Sequence, residues 1–509
     1  MDIGAGRMRA AVGGLLAAGV ALGVAETVAA LIGPRPGPMI AVGSAMVDRT
    51  PEALKQFAIR QFGDKDKLVL VGGIAVGVVL LSLLLGLLAR RRWPLAAAGM
   101  GAFGLLAAAA AVTRPGAGPL DALPALIGIT AGIFTLRLLC VPREPAPEGP
   151  AVGGGAGRRR FLALSAGAAG VAVAGGGIGR LLASRRNVED ARAALRLPAP
   201  ARPARPLPAG VDMKMPGLTP FVTSNKDFYR VDTALVLPQV DPADWTLRIS
   251  GLVDRPIELT FDDLLRRPLL EYDATMTCVS NEVGGPYVSS TRWLGASLAD
   301  LLREAGVRSG ADQLLSRSAD GWTAGTPIEA ILDGREALLA VGMDGEPLPI
   351  AHGFPARMVV PGLYGYGSAT KWVVDMKVTR FTDSKAYWVA RGYAERSTIK
   401  TLARIDLPRP LQKLPAGPVV VAGVAWAQRR GISAVEVRVD DGPWRRARLA
   451  AVPNTDTWRQ WSLEWAATPG VHRIETRATD GSGATQQQRR EPPLPDGATG
   501  WHSVVVTIT

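Results

Sequence analysis

Residues 10–183 carry five apolar stretches, each close to the roughly 20 residues that a bilayer's hydrocarbon core demands of a helix. They run about Ala10–Ile32, Leu68–Ala89, Trp93–Val112, Leu120–Val141 and Phe161–Ala183. The fifth is rich in Gly and Ala and is the weakest membrane signal of the set. Arginine and lysine orient such helices, because they are retained on the cytoplasmic side. Arg7 and Arg9 precede the first stretch, and Arg90, Arg91 and Arg92 follow the second. Arg143 stands with Arg158, Arg159 and Arg160 between the fourth and the fifth. Placing these inside predicts a multi-pass cell-membrane protein with a cytoplasmic N-terminus. The mixed-charge loop Val47–Lys67 and the large polar remainder then lie outside.

The charge distribution supports the same division. The chain of 509 residues has a net charge of +13. Residues 1–210 hold 24 Lys+Arg against 11 Asp+Glu, whereas residues 211–509 hold 34 of each sign. The basic excess therefore belongs to the apolar part. A nucleic-acid-binding domain would carry it as a stripe on a polar fold, so no nucleic-acid partner is expected. The spans lack a clear set of buried ionisable residues, Glu26 and Arg137 standing out, so anchoring in lipid is expected rather than transport. His352 is the first histidine in the chain, and none of the spans can supply a histidine ligand to haem. The segment Gly157–Leu162 has the form of an internal twin-arginine export signal, a receptor-read address.

Residues 187–215 form a Pro/Ala/Arg linker, extended by composition, whose arginines would sit near the outer membrane face. Eleven of the twelve tryptophans follow residue 210, which marks packed domains. Across 216–400, β-branched runs such as Met358–Val360 and Trp372–Val378 read as strands. Phe261–Arg266 and Ser297–Ala305 read as short amphipathic helices. The mixture predicts an α+β domain with long loops. Across 401–509 the stretches Val419–Trp426, Ala434–Asp440, Arg445–Leu449, Gln460–Ala466, His472–Ala478 and Ser503–Thr509 read as strands between turns, the spacing of an all-β sandwich.

Three features could carry chemistry. Cys140 and Cys278 are the two cysteines, too few for a disulfide framework and in no CxxC, CxxCH or zinc spacing. Cys278 lies just past a predicted strand, in "TCVSNEVGG". A cluster His352–Arg357, "HGFPAR", leads through a strand into Pro361–Trp372, "PGLYGYGSATKW". Glycines there let backbone N–H groups approach an anion, with Arg357 and Lys371 as cations at either end. Ser368 does not complete a hydrolase elbow, because Tyr366 breaks GxSxG.

In their order, these pieces resemble the sulfite-oxidase family of molybdenum enzymes, over about residues 216–509. The resemblance is carried by Thr223-Ser224-Asn225, Phe228-Tyr229-Arg230, Thr277-Cys278, Trp293-Leu294-Gly295, Gly345-Glu346-Pro347-Leu348-Pro349 and the two clusters above. The C-terminal stretch "AWAQRRGISAVEVRVDDGPW" is similar to that family's immunoglobulin-like dimerisation domain. The resemblance implies that Cys278 binds molybdenum and that Asn225, Tyr229 and Arg230 lie along the pterin. It also implies that His352 and Arg357 contact the phosphate end of the pterin, with Ser368, Ala369, Thr370 and Lys371 closing that pocket and Ser318 as a further contact. Trp322 best matches the position of a tyrosine near the metal. Ser224 stands where sulfite oxidases carry an oxyanion-binding arginine, a feature shared with the exported sulfoxide-reducing branch.

The expected fold is therefore multi-domain. Four transmembrane helices (1–156) and a twin-arginine-like segment with a fifth (157–186) precede the linker. An α+β sulfite-oxidase-type molybdopterin domain (216–400) and an all-β immunoglobulin-like sandwich (401–509) follow. The implied cofactor is molybdenum with molybdopterin, without haem, flavin or NAD. The implied partners are membrane lipid, a small-molecule substrate, a separate electron-transfer partner and a second copy of the chain. The alternatives are a cofactor-free membrane-anchored extracellular binding module, or a transporter or sensor regulated by its polar half.

Overall fold

The computed structural model describes residues 3–33, 37–51, 54, 57, 61–62, 66–114, 117–141, 156–184 and 187–509. Arg143 and much of the Val47–Lys67 loop lie outside the described residues. The chain forms two compact units, one of Met1–Asn187 with Thr233–Leu237 and one of Val188–Asp232 with Pro238–Thr509.

In the first unit, five helices are long and apolar enough to cross a membrane: Gly6–Ile32, Lys67–Ala89, Trp93–Val112, Pro119–Cys140 and Arg159–Leu182. They coincide with the five apolar stretches of the sequence. A further helix, Pro38–Arg49, has 12 residues, too short to be read in advance as a span; a proline at its first position fits the fixed φ of a helix start. The first helix packs against those at Asp66–Ala89, Leu123–Cys140 and Ala156–Ser184. Close approach is possible because the contact residues are small: a Cβ on Gly14 would lie 2.8 Å from the Gly86 Cα. Ala17, Ala21, Met100, Leu136 and Cys140 form the interior. By contrast, few residues of the Lys67–Ala89 and Arg159–Leu182 helices are buried. These helices present residues such as Leu84 and Val173 outward, 62% and 76% exposed.

The second unit opens with two sheets and their helices. The strands are β1 (Thr246–Gly251), β2 (Ile257–Thr260), β3 (Leu269–Thr277), β4 (Val288–Ser297), β5 (Gln313–Ser318), β6 (Thr323–Pro327), β7 (Leu338–Met343), β8 (Glu346–Pro347), β9 (Arg357–Val359) and β10 (Val373–Thr379). One sheet has the order β2-β1-β10-β5-β6, and the other β3-β4-β7-β8 with β9 also paired to β7. One core of Trp245, Leu247, Ile249, Leu339, Met358, Val373 and Met376 joins the two. The predicted helix is Leu298–Ala305, with its Ser297 cap accepting from the Asp300 amide at 3.1 Å and Gly306 in the left-handed region closing it. Its apolar stripe of Leu298, Leu301 and Leu302 is buried in that core.

Beyond residue 400 come β11 (Leu402–Leu407), β12 (Lys413–Leu414), β13 (Gly417–Trp426), β14 (Ile432–Val439), β15 (Arg445–Arg446), β16 (Arg448–Leu449), β17 (Arg459–Ala467), β18 (Gly470–Asp480) and β19 (His502–Ile508). They build two sheets, β11-β13-β17-β16 and β12-β19-β18-β14-β15, over one core of Val421, Trp461, Val435, Val437, Ile474 and Val504. The stretch Arg445–Leu449, expected as one strand, is two that belong to opposite sheets. Between them the buried Ala447 donates its amide to the Val435 carbonyl at 2.8 Å, so the chain crosses the core edge at that residue.

β3, an outer strand of its sheet, is covered along its free edge. The segment read as a linker begins with a short helix, Glu189–Ala194; its proline-rich stretch beyond is extended, but it is docked there. The Ala201 amide donates to the Leu269 carbonyl at 2.7 Å, and the Glu271 amide to the Arg202 carbonyl at 2.9 Å. Arg202 pairs with Glu336 at 2.6 Å, and Leu195 and Leu197 pack on the core. Farther along, the Thr275 amide donates to the Asp456 carbonyl at 2.9 Å and the Trp458 amide to the Thr275 hydroxyl at 2.7 Å. Gln428 donates to the Thr275 carbonyl at 3.1 Å and the Thr277 hydroxyl at 3.3 Å. Pairing such an edge removes a template for aggregation, and here it also fixes the strand that delivers Cys278.

Candidate functional site

β3 stops at Thr277, and Cys278 begins a turn. The Asn281 amide donates to the Cys278 carbonyl at 3.1 Å, and the Cys278 amide to the Tyr287 carbonyl at 3.0 Å. The thiol is free and half-buried. Burial pushes it up from its ordinary range, while the Ser280 hydroxyl and amide and the Lys371 ammonium pull it back. Its Sγ lies 2.9 Å from Ser280 Oγ.

Three basic side chains gather close by on the β9 side. Arg357 begins β9 and is buried. It donates to the His352 carbonyl at 3.0 Å and lies over the Trp293 ring at 5.1 Å. Burial brings its guanidinium down to about 10. No carboxylate lies within ion-pair reach of it among the described residues. Lys371 is largely buried, its side chain 11% exposed, and it donates to Asp232 at 2.8 Å and to the Ala351 carbonyl at 3.1 Å. Burial lowers it to about 8, against the pull of Asp232. His352 is brought down to about 3 by burial and by Arg357 and Lys371, and is therefore neutral; its Nε2 lies 3.2 Å from the Asn225 carbonyl. Gly353 permits this crowding: its φ is +111°, and a Cβ there would lie 3.0 Å from the Arg357 Cβ and 3.1 Å from the Lys371 Cα.

The third side of the site is the segment 223–230, pinned to β4. The Thr223 amide donates to the Ser290 carbonyl at 2.7 Å, and the Tyr229 amide to the Ser289 hydroxyl at 3.2 Å. Phe228 is buried edge-on to Trp293 and His352, at 5.6 and 5.5 Å. Tyr229 is pushed far up by burial, with Cys278 raising it and Arg357 lowering it, so these three share one electrostatic environment. Asn225 Nδ2 donates to the Met343 carbonyl at 3.1 Å, while its buried Oδ1 has no donor.

The structure thus brings Cys278, Asn225, Tyr229, His352, Arg357 and Lys371 into one region. Arg230 is exposed and joins it through Asp232, at 2.8 Å. Ser368 and Thr370 are buried with their hydroxyls engaged, Ser368 on the Leu363 and Tyr364 carbonyls at 3.1 and 3.0 Å and Thr370 on Ser316 at 2.6 Å. The backbone is what that stretch, with Ala369, can offer a ligand. Ser318 is buried, its amide bonded to the Trp322 carbonyl at 2.9 Å. Trp322 packs beside the cluster of Val279, Tyr364 and Tyr366. Asp232, Ser280, Gln428 and Trp293 were not singled out from sequence as site residues. Only Asp232 carried a usable signal, an acid two residues beyond Arg230.

No group of three or more His, Cys, Asp or Glu able to hold a metal occurs among the described residues. The arrangement instead offers one thiol, a buried and a largely buried cation, and a buried amide oxygen that lacks a donor among the described residues. A buried unpaired cation is costly, so Arg357 calls for an anion, and Asn225 Oδ1 calls for an N–H. An anionic group with ring N–H donors and soft sulfur chemistry fits these requirements.

Comparison with known proteins gives the following. The family model "Oxidoreductase molybdopterin binding domain" matches residues 234–388. Mitochondrial sulfite oxidase of Mus musculus is 30% identical over 293 residues, 48% of this chain and 53% of that protein. The sulfite oxidase of Gallus gallus is 30% identical over 310 residues, 52% of this chain and 67% of its own length. The uncharacterized oxidoreductase YuiH of Bacillus subtilis (strain 168) is 34% identical over 156 residues, 31% of this chain and 75% of that protein. The chain therefore spans about half the length of the mammalian relatives it matches. Among solved structures, the sulfane dehydrogenase SoxCD from Paracoccus pantotrophus aligns over 57% of this chain and 82% of its own, at 24% identity and a TM-score of 0.48.

Proposed function

The chain belongs to the sulfite-oxidase-type family of molybdopterin-binding oxidoreductases, and we propose that it is a membrane-anchored, extracytoplasmic member acting on a small S- or N-oxide. The observation that carries the site assignment is the buried Arg357, without a carboxylate partner among the described residues and in one electrostatic environment with Tyr229 and the Cys278 thiol. When bound, the molybdenum–molybdopterin group supplies oxygen-atom transfer coupled to a two-electron change.

The chain's own residues would hold and orient that group. Cys278 offers a soft thiolate, suited to such a metal. Arg357 presents a planar fork of donors and Lys371 a point charge to the phosphate. His352, neutral, and Asn225 Oδ1 take hydrogen bonds from the pterin, with Tyr229 and Arg230 along it and Ser318 as a further contact. The backbone at Ser368, Ala369, Thr370 and Lys371 closes the anion end. Trp322 and its neighbours form an apolar wall that limits water at the reacting side.

The substrate follows from position 224. The Ser224 hydroxyl donates to Asp227 at 2.7 Å, so the position where sulfite oxidases carry a cation holds a neutral side chain tied to a carboxylate. Loss of a charge-assisted contact weakens binding of an oxyanion such as sulfite, whereas a neutral oxide is unaffected. Assays of the metal-loaded chain with sulfite and with a panel of S- and N-oxides test this. Higher kcat/KM for a neutral oxide is expected; preferential oxidation of sulfite would overturn it.

The five apolar helices, two of them with few buried residues, support the anchor, and the arginines around them support a cytoplasmic N-terminus. The Gly157–Leu162 segment would serve as an export address of the twin-arginine type. Electrons would pass to or from a separate polypeptide or small carrier. The nine-strand C-terminal part would be the immunoglobulin-like dimerisation domain. A cofactor-free binding module leaves the buried Arg357 unexplained.

A further inference from the structure

The sulfur of Cys278 faces a hydroxyl across its own turn. The Asn281 amide closes that turn on the Cys278 carbonyl at 3.1 Å. The Ser280 hydroxyl lies 2.9 Å from Sγ, and it makes no other hydrogen bond among the described residues. A second brace holds the turn independently of Ser280: the Tyr287 amide donates to Asn281 Oδ1 at 2.8 Å. Serine in a turn usually bonds to a nearby backbone group. This one faces sulfur, a weak acceptor as a thiol and a stronger one as an anion.

We propose that Ser280 is the donor that sets how strongly the Cys278 thiolate gives electron density to a bound metal. It is a positioning residue that acts through Cys278, and the inference rests on Cys278 being the ligand. Hydrogen bonds to a coordinating sulfur draw charge from it and raise the reduction potential of the centre. No bond is made or broken, and the proton stays on the Ser280 oxygen. Because the turn is closed by backbone and Asn281 bonds, removing the hydroxyl changes the electronics without opening the loop.

The test uses the full-length, metal-loaded protein in a redox titration followed by absorption and electron paramagnetic resonance, with metal content measured separately. Ser280→Ala and Ser280→Gly are expected to load metal normally, to shift the reduction potential downward and to move the thiolate-to-metal band to longer wavelength. Ser280→Thr, which keeps the hydroxyl, is expected to hold both at the native values. Unchanged potential and band in the Ala and Gly variants would overturn the role of Ser280. Cys278→Ser separates the two levels. If it loses the band while Ser280→Ala leaves it unmoved, only the tuning role fails. If it keeps the band and the metal, Cys278 is not the ligand and the premise fails with it.

Discussion

Replacing Arg357 with methionine should affect the cofactor-free and cofactor-loaded proteins differently. The guanidinium is 4% exposed, and burial holds it at about 10, well below the ordinary guanidinium value. That difference corresponds to roughly 3 kcal/mol of strain on the charged form in the cofactor-free fold. Against it stands the bond to the His352 carbonyl at 3.0 Å; leaving that acceptor without a donor costs about 1–3 kcal/mol. Methionine has similar length and no charge, so the two effects nearly offset. The cofactor-free variant should match the native protein in stability within about 2 kcal/mol. With an anionic group bound, the same substitution removes one partner of a buried charge pair, a loss of about 3–5 kcal/mol. In affinity that is roughly two to four orders of magnitude. The assay is thermal unfolding of full-length protein from cofactor-competent and cofactor-deficient hosts, with pterin quantified by fluorescence after release. Equal destabilisation of both forms, or full pterin retention on dilution, would refute the assignment of Arg357 to an anion.

Further outcomes follow from the same cluster. Asp232→Asn leaves Lys371 buried without its partner, their side chains being 5% and 11% exposed. Urea unfolding should show a loss of about 3–5 kcal/mol, mostly recovered in Asp232→Asn combined with Lys371→Met. His352 has a folded value of about 3, below its unfolded value, so the unfolded chain takes up the proton first. Stability is complete above about pH 6.5 and falls by up to about 1.4 kcal/mol per unit as pH drops toward about 3. His352→Gln should remove one proton's worth of that slope, read from urea unfolding between about pH 7 and pH 4.5; His502, held at about 4, keeps its own contribution in the same direction. Reporter fusions at Arg91 and Ala117 should report cytoplasmic and external locations respectively, and the reverse pattern would invert the topology.

The helical part was legible because its signal is composition over about 20 residues, which a single chain displays without partners. The helix Pro38–Arg49 lacked that length and was missed. In the second unit, short elements such as Leu298–Ala305 and β9 were readable from period and caps. The pairing of β3 with residues 201–204, Gln428 and Asp456 was not, since it joins positions far apart in sequence. Prolines correctly marked the 197–208 stretch as extended, but extension alone does not say whether a chain is free or docked. Arg445–Leu449 read as one strand because nothing local shows that Ala447 passes between sheets. At the site, residue types and order pointed to Cys278, His352, Arg357 and Lys371. The engagement of Ser368 and Thr370 inside the protein, and the pairing of Lys371 with Asp232, depend on three-dimensional neighbours.

The central claim is that Cys278 and the Arg357–Lys371 cluster hold a molybdenum–molybdopterin group. The direct measurement is the molybdenum and pterin content of the full-length protein and its Cys278→Ser variant, purified from a cofactor-competent host. About one of each per native chain is expected, with metal lost from the variant. A native protein without molybdenum or pterin, or a variant that keeps its metal in full, would contradict it.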